Sequence, residues 1–245
     1  MHEITVLSPH RDDAAFSLYF ALSQWSRRNI RLRVINFFTR SAYAPYVPFE
    51  SVAAVSAIRR REDRSVLRAL GSIEVIDAGL LDAPLRYGIP VEEVSGNGTS
   101  SRISDKDISA LTAHIPGSRS GIWIAPLALG DHVDHQVVKI AACCAIEARR
   151  LAFFEDLPYA TWTPSELLRE RVQDAERLTG SRLRPLLIRG VRTVFRKRQL
   201  VGRYSSQIAF EQAARIAHWS SNFGGGERLW VPAHSRLWQP LLRLG

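Results

Sequence analysis

The sequence predicts an α/β protein: a Rossmann-like, mostly parallel sheet with helices on both faces, followed by a helical, basic C-terminal extension. Three observations carry this reading. Short apolar runs alternate with longer stretches of helical periodicity from Ile4 to Phe154. The 245 residues are 46% hydrophobic and 23% charged, enough for a sizeable core and unlike a disordered chain or a fibrous repeat. Two clusters of His and Asp fall where a strand hands over to a helix, the position at which open α/β sheets bind ligands.

The elements follow in order. Residues 4–7 form a short apolar run closed by Ser8-Pro9, a buried strand ending in a turn. From Asp12, the residues Ala15, Phe16, Leu18, Phe20, Ala21, Leu22 and Trp25 recur at helical spacing, and Arg27-Arg28-Asn29 supply the charge and stop of a helix end. The alternation continues with a strand over 32–38, a helix over 52–70 ended by Gly71, and a strand over 73–77. A helix over 105–114, a strand over 122–126, a helix over 133–149 and a strand over 151–154 complete it. Two loops are long for a compact domain: 40–51, rich in aromatics and Pro, and 85–104, which contains Ser95-Gly-Asn-Gly. Both are expected to line a substrate mouth.

After Thr163 the pattern turns helical and basic, and over 182–203 arginines interleave with Leu186, Leu187, Ile188, Val191, Val194 and Phe195. This reads as an amphipathic surface helix, the alternative being a platform for an anionic or membrane-associated ligand. The chain is read as one domain over 1–245, with its core over about 1–160 and the extension over about 161–245.

Several function classes are excluded. No apolar stretch approaches the roughly 20 residues of a membrane span, and the N-terminus runs directly into a strand pattern without an h-region, so a cytoplasmic protein is expected. The adjacent Cys143 and Cys144, on one helix, suit neither a disulfide nor a C-x-x-C metal site and are expected to be plain core or helix-face residues. The net charge is +9, and only Lys106, Lys139 and Lys197 among the 33 basic residues are lysine. Arginine makes bidentate contacts with phosphate and carboxylate, which permits an anionic substrate. No helix-turn-helix, RNP or zinc-finger pattern supports a nucleic-acid partner.

The chemistry-bearing clusters are Ser8-Pro9-His10-Arg11-Asp12-Asp13, after the first strand, and Gly130-Asp131-His132-Val133-Asp134-His135, after the strand over 122–126. Taken alone, Asp12 or Asp13 could be a helix N-cap and His10 a turn residue. Together the clusters converge on one edge of the sheet, where two imidazoles and a carboxylate suit zinc with a position left open. The remaining Asp12 is free for another task.

At these residues the sequence resembles the PIG-L/LmbE-like family of zinc-dependent deacetylases, whose members remove N-acetyl groups, usually from amino sugars. Pro9-His10-Arg11-Asp12-Asp13 matches the family's Pro-His-x-Asp-Asp, and His132-Val133-Asp134-His135 its His-x-Asp-His. Arg59 and Glu62 before Leu70-Gly71, the segment Glu155-Asp156-Leu157-Pro158-Tyr159-Ala160 and Tyr204-Ser205-Ser206-Gln207 are similar to further family segments. The resemblance implies one Zn2+ per chain held by His10, Asp13 and His135, with Asp12 as general base. It places His132 beside the substrate carbonyl, with Asp134 orienting and charging it. It also implies substrate contacts from Arg59 and Asp82; Arg86 in the following loop and Arg11 at the site mouth are further candidate substrate contacts of this chain. Two departures are Arg11, where the family commonly has Pro, and Ala14, where it has Glu.

The implied activity is metal-assisted hydrolysis of the amide of a small N-acetylated amino sugar or glycoside. The alternative is a zinc amidase acting on another N-acyl metabolite or a thiol–sugar conjugate. His2, His114, His218 and His234 have no partner at useful spacing and are expected to be structural or surface residues, and Trp219, Trp230 and Trp238 to belong to the core.

Overall fold

A computed structural model describes residues 3–28, 30–48, 51–96, 98–115, 121–190 and 193–242. His2, Asn29, Asn97 and Val191 of the sequence reading lie outside them. The elements run β1 (Glu3–Ser8), α1 (Asp13–Ser17), α2 (Tyr19–Ser26), β2 (Arg31–Arg40), α3 (Val52–Leu70), β3 (Ile73–Leu81) and α4 (Ala83–Tyr87). They continue with α5 (Asp105–Thr112), β4 (Ile122–Pro126), α6 (Val133–Ala145), β5 (Leu151–Phe154) and α7 (Ser165–Thr179). The last are β6 (Leu183–Ile188), α8 (Val194–Val201), α9 (Phe210–Trp219), β7 (Glu227–Pro232) and α10 (Gln239–Leu242).

The sheet has seven strands in the order β3-β2-β1-β4-β5-β7-β6. The first five are parallel; β7 and β6 join antiparallel. The fold is thus mixed α/β with a mostly parallel sheet, as expected. Strand order moves outward in opposite directions from the β1/β4 pair, so that pair is the switch point where loops diverge and leave a crevice. Right-handed crossovers put α2 and α3 on one face and α5 and α6 on the other, and α2 packs on α3 as α5 packs on α6. Ile4, Val6, Val34, Ile124 and Phe153 are buried on strands covered from both sides, which explains their near-continuous apolar runs.

Three expectations are corrected. The first helix is two pieces, because Leu18 leaves the helical region and the buried carboxylate of Glu227 accepts the freed N–H groups of Phe20 and Ala21 at 3.0–3.1 Å. The helix after β4 stops at Ala145, where Ile146 turns extended. Residues 182–203 are not a surface helix: Leu183–Ile188 is an edge strand, with Leu186 and Ile188 facing the core, and only Val194–Val201 is helical. The period-2 alternation and Pro185, which an edge strand tolerates, were the readable signs. The region after Thr163 therefore adds strands to the sheet as well as helices.

Trp238 is fully buried, and Trp219 and Trp230 pack against the core. His114, His218 and His234 are exposed. Cys143 is half-buried, its thiol pushed up to about 12 by burial, and Cys144 is exposed. Among the described residues no helix is long and apolar enough to cross a membrane.

Candidate metal and catalytic site

Both clusters arrive at the β1/β4 switch point. After β1, Ser8 Oγ accepts the backbone N–H of Ala14, and Asp13 accepts that of His10 at 2.7 Å. Asp12 holds the N-cap position of α1, yet its carboxylate makes no capping bond and faces the cavity. After β4, a turn with positive φ at Ala128, Gly130 and Asp131 delivers His132 as N-cap of α6, where its Nδ1 accepts the backbone N–H of Asp134 at 3.1 Å. Gly130 is required there: a Cβ would stand 2.2 Å from the Tyr159 ring.

One oxygen of Asp13 lies 3.4 Å from His10 Nδ1 and 3.5 Å from His135 Nε2, and one donor atom from each of the three falls within 4.8 Å of the others. The second nitrogen of each histidine is held by a carboxylate. His10 Nε2 bonds Asp134 at 3.0 Å, and His135 Nδ1 bonds Asp156 at 2.6 Å. An N–H directed at each carboxylate leaves the lone pairs of His10 Nδ1 and His135 Nε2 aimed at Asp13, the arrangement of a metal-binding histidine. The residues therefore fit a divalent metal. His10, His132 and Asp134 also cluster within 4.8 Å. That set is the poorer cage, because Asp134 is fully buried and already accepts from Ala83 N–H, Arg86 and His10.

The electrostatics agree. Burial by itself would lower His10, but its bonds to Asp13 and Asp134 outweigh it and push the imidazole up to about 10. Burial opposes ionisation of Asp13, yet His135 and His10 hold it down at about 2. A site that draws a proton onto His10 in this way has surplus negative charge for a cation to neutralise. Asp12 is raised, chiefly by burial and then by Asp13, with Arg59 opposing at 3.6 Å. Burial drives His132 well below its ordinary value, and the pull of Asp134 does not restore it.

The six motif residues thus meet, with two corrections to their surroundings. The carboxylate of Asp134 faces His10 and Arg86; its hydrogen bond to His132 is made by its backbone N–H, and burial disfavours the charged form of that imidazole. Of the expected substrate contacts, Arg59 and Asp82 line the cavity. Arg11 and Arg86 do not: Arg11 is buried in bonds to Asp77, Thr39 O and Ser56 O. Arg86 bridges Asp134 and Asp107 beneath the site, over the ring of Phe38. Arginine at a loop mouth has several buried acceptors within reach, and spacing does not tell which it takes.

The cavity holds about 230 Å3, and both long loops line it through Tyr43, Val91, Val94 and Ser95. Sequence reasoning missed three contributors. Asp156 orients His135, Tyr159 packs edge-on against the same ring, and Gln207 reaches the wall from the segment before α9. Asp156 was readable as a carboxylate just past the carboxyl end of β5. Gln207 arrives because Ser206 bonds Glu62 of α3 through N–H and Oγ, while Tyr204 bonds Asp63 at 2.9 Å.

The chain belongs to the PIG-L family: its residues 5–146 match the family described as GlcNAc-PI de-N-acetylase. Within the chain's relatives, a 2'-N-acetylparomamine deacetylase of Streptomyces fradiae is 32% identical over 159 residues, which are 63% of this chain. The match spans 57% of the length of that curated relative. Among solved structures, a zinc-inhibited form of teicoplanin deacetylase matches with a TM-score of 0.67 at 21% identity, covering 95% of this chain and 99% of that one. A deacetylase of the A40926 pseudoaglycone matches with a TM-score of 0.65 at 23% identity, covering 94% and 96%. These structural likenesses establish the fold.

Proposed function

We propose that this protein is a zinc-dependent hydrolase that removes the acetyl group from a small N-acetylated amino sugar or glycoside, with one zinc ion per chain. The observation that carries the reading is the triad of His10, Asp13 and His135 around one point, with the carboxylate of Asp12 facing the same cavity uncommitted to any cap. The names of the relatives, a 2'-N-acetylparomamine deacetylase and an A40926 pseudoaglycone deacetylase, support the substrate class.

Held by His10, Asp13 and His135, zinc would supply Lewis acidity, polarising the amide carbonyl and acidifying water. Asp12 then takes the proton of the attacking water and passes it to the departing amine. Its raised affinity for a proton, from burial and from Asp13 beside it, suits a base that must also act as an acid. Neutral His132, its Nδ1 occupied by the backbone N–H of Asp134, carries its proton on Nε2 and donates it as a hydrogen bond to the oxyanion that forms on the carbonyl. Arg59 and Asp82 on the wall fix the hydroxyls of the sugar ring. Arg11 and Arg86 are spent on internal carboxylates; of the three arginines Arg59 lines the cavity, where it pairs with Asp12 at 3.6 Å. The cavity is below the roughly 300–1,000 Å3 of drug-sized sites, so it admits one ring and leaves the rest of a larger glycoside outside.

The test combines metal and acetate. Protein purified without chelator is expected to hold about one zinc per chain, lost in His10→Ala and His135→Ala, and to release acetate from at least one of a panel of N-acetyl amino sugars and glycosides. Asp12→Asn is expected to keep zinc and lose turnover by about 10²–10⁴-fold. Turnover retained in Asp12→Asn overturns its role. Release confined to other N-acyl metabolites would establish the amidase alternative.

A further inference from the structure

The loop that carries His132 into the catalytic cavity presents the preceding residue, Asp131, to a second cleft of about 380 Å3 between α6 and α7. Gln136 and Lys139 line it from α6, and Arg171, Asp174 and Arg177 from α7. Lys139 is only 5% exposed. Among the described residues, no hydrogen bond or ion pair reaches its Nζ. Both carboxylates of the cleft are already claimed. Arg171 pairs with Asp131 at 2.8 Å and with Asp174 at 3.3 Å, and Arg177 pairs with Asp174 as well. Three cations therefore face two anions, and the surplus charge is the buried lysine. Its stem is buried, while the ammonium at its tip keeps contact with solvent in the cleft. An oxyanion in the cleft would meet that unpaired charge, and lysine is a common point-charge ligand for phosphate.

We propose that this cleft binds the phosphate group of a small phosphorylated metabolite, with Lys139 as the central ligand and Arg177 and the Gln136 amide at its rim. The cleft shares no lining residue with the cavity of the metal site, although α6, the loop of Asp131 and His132 and the segment around Ser95 and Gly96 contribute to both. Its volume leaves room for a sugar ring beside the phosphate.

The experiment is calorimetric titration of the zinc-loaded protein with inorganic phosphate, glucose 6-phosphate and glucose. Saturable binding of glucose 6-phosphate, with none of glucose, is expected. Lys139→Met should weaken it at least tenfold. Arg177→Gln alters a side chain that is 69% exposed, so folding is not at issue, and should weaken binding several-fold. His10→Ala, which removes a metal ligand, should leave it unchanged. Binding lost in His10→Ala and kept in Lys139→Met would mean that the anion sits on the metal, and would overturn the proposal. Absence of saturable binding to the wild type by either phosphate compound would overturn it too.

Discussion

Asp134 and Asp156 need touch no substrate to matter. Each fixes which nitrogen of a histidine is free, and so turns two imidazoles toward Asp13. Such carboxylates commonly contribute 10–100-fold to metal affinity. Asp156→Asn is accordingly expected to weaken zinc binding about 10–100-fold, with His10 and Asp13 still in place. Competition against a chelator of known affinity measures this, and an unchanged affinity would show that His135 is oriented by packing against Tyr159 alone. His10, Asp12, Asp13, His132 and His135 were legible because their spacing and position after strands are local properties. Arg11 and Arg86 were misplaced because a long side chain chooses among distant acceptors. Asp134 does orient His132, but through its backbone N–H; its carboxylate goes to His10, which lies 124 residues away in sequence.

At the level of the element, the active loop depends on backbone that few residues tolerate. Ala128, Gly130 and Asp131 all take positive φ, and Asp131 is held by Arg171 through its side chain and by Thr99 through its carbonyl. At Ala128 and Asp131 this conformation costs of order 1–3 kcal/mol each and persists where the surroundings impose it, whereas Gly130 adopts it freely. Gly130→Ala adds a left-handed alanine, at about 1–2 kcal/mol, together with a clash against Tyr159. The variant is expected to melt several degrees lower and to lose more turnover than zinc, since His132 is displaced before the ligands are. Calorimetry and metal analysis on the same sample check this; full activity would show that the loop is not constrained. Strands and helices with one clear period were legible, whereas the break at Leu18 was not, because it depends on Glu227 arriving from β7.

Across the whole molecule, the C-terminal third completes the sheet rather than trailing from it. Strand β7 pairs with β5, β6 closes the edge, and Lys197 of α8 forms a buried pair with Glu227 at 3.0 Å, the same carboxylate that caps α2. We infer from this that the chain folds as one unit. A chain ending at residue 160 is expected to give no cooperative thermal transition; a sharp one would mean that the first five strands fold alone. The segment 182–203 contains seven arginines and Lys197 with no acidic residue, and so accounts for eight of the nine net charges. Three of these cations, Arg182, Arg184 and Arg189, lie on or beside the edge strand β6, where they and Pro185 discourage pairing with a second sheet.

By itself the sequence determined what is written in short-range pattern: the alternation of strand and helix, the two His/Asp clusters at strand ends, and hence the family and a candidate donor set. Tertiary structure decided the partners. It sent Arg11 and Arg86 inward, gave the carboxylates of Asp134 to His10 and of Asp156 to His135, made part of a basic segment an edge strand, and placed Lys139 in a second cleft with no ion pair among the described residues. The division has one physical cause. Backbone periodicity depends on residues a few positions apart, while a buried polar group is satisfied by whichever acceptor or donor the folded chain brings within about 3 Å, at any separation in sequence.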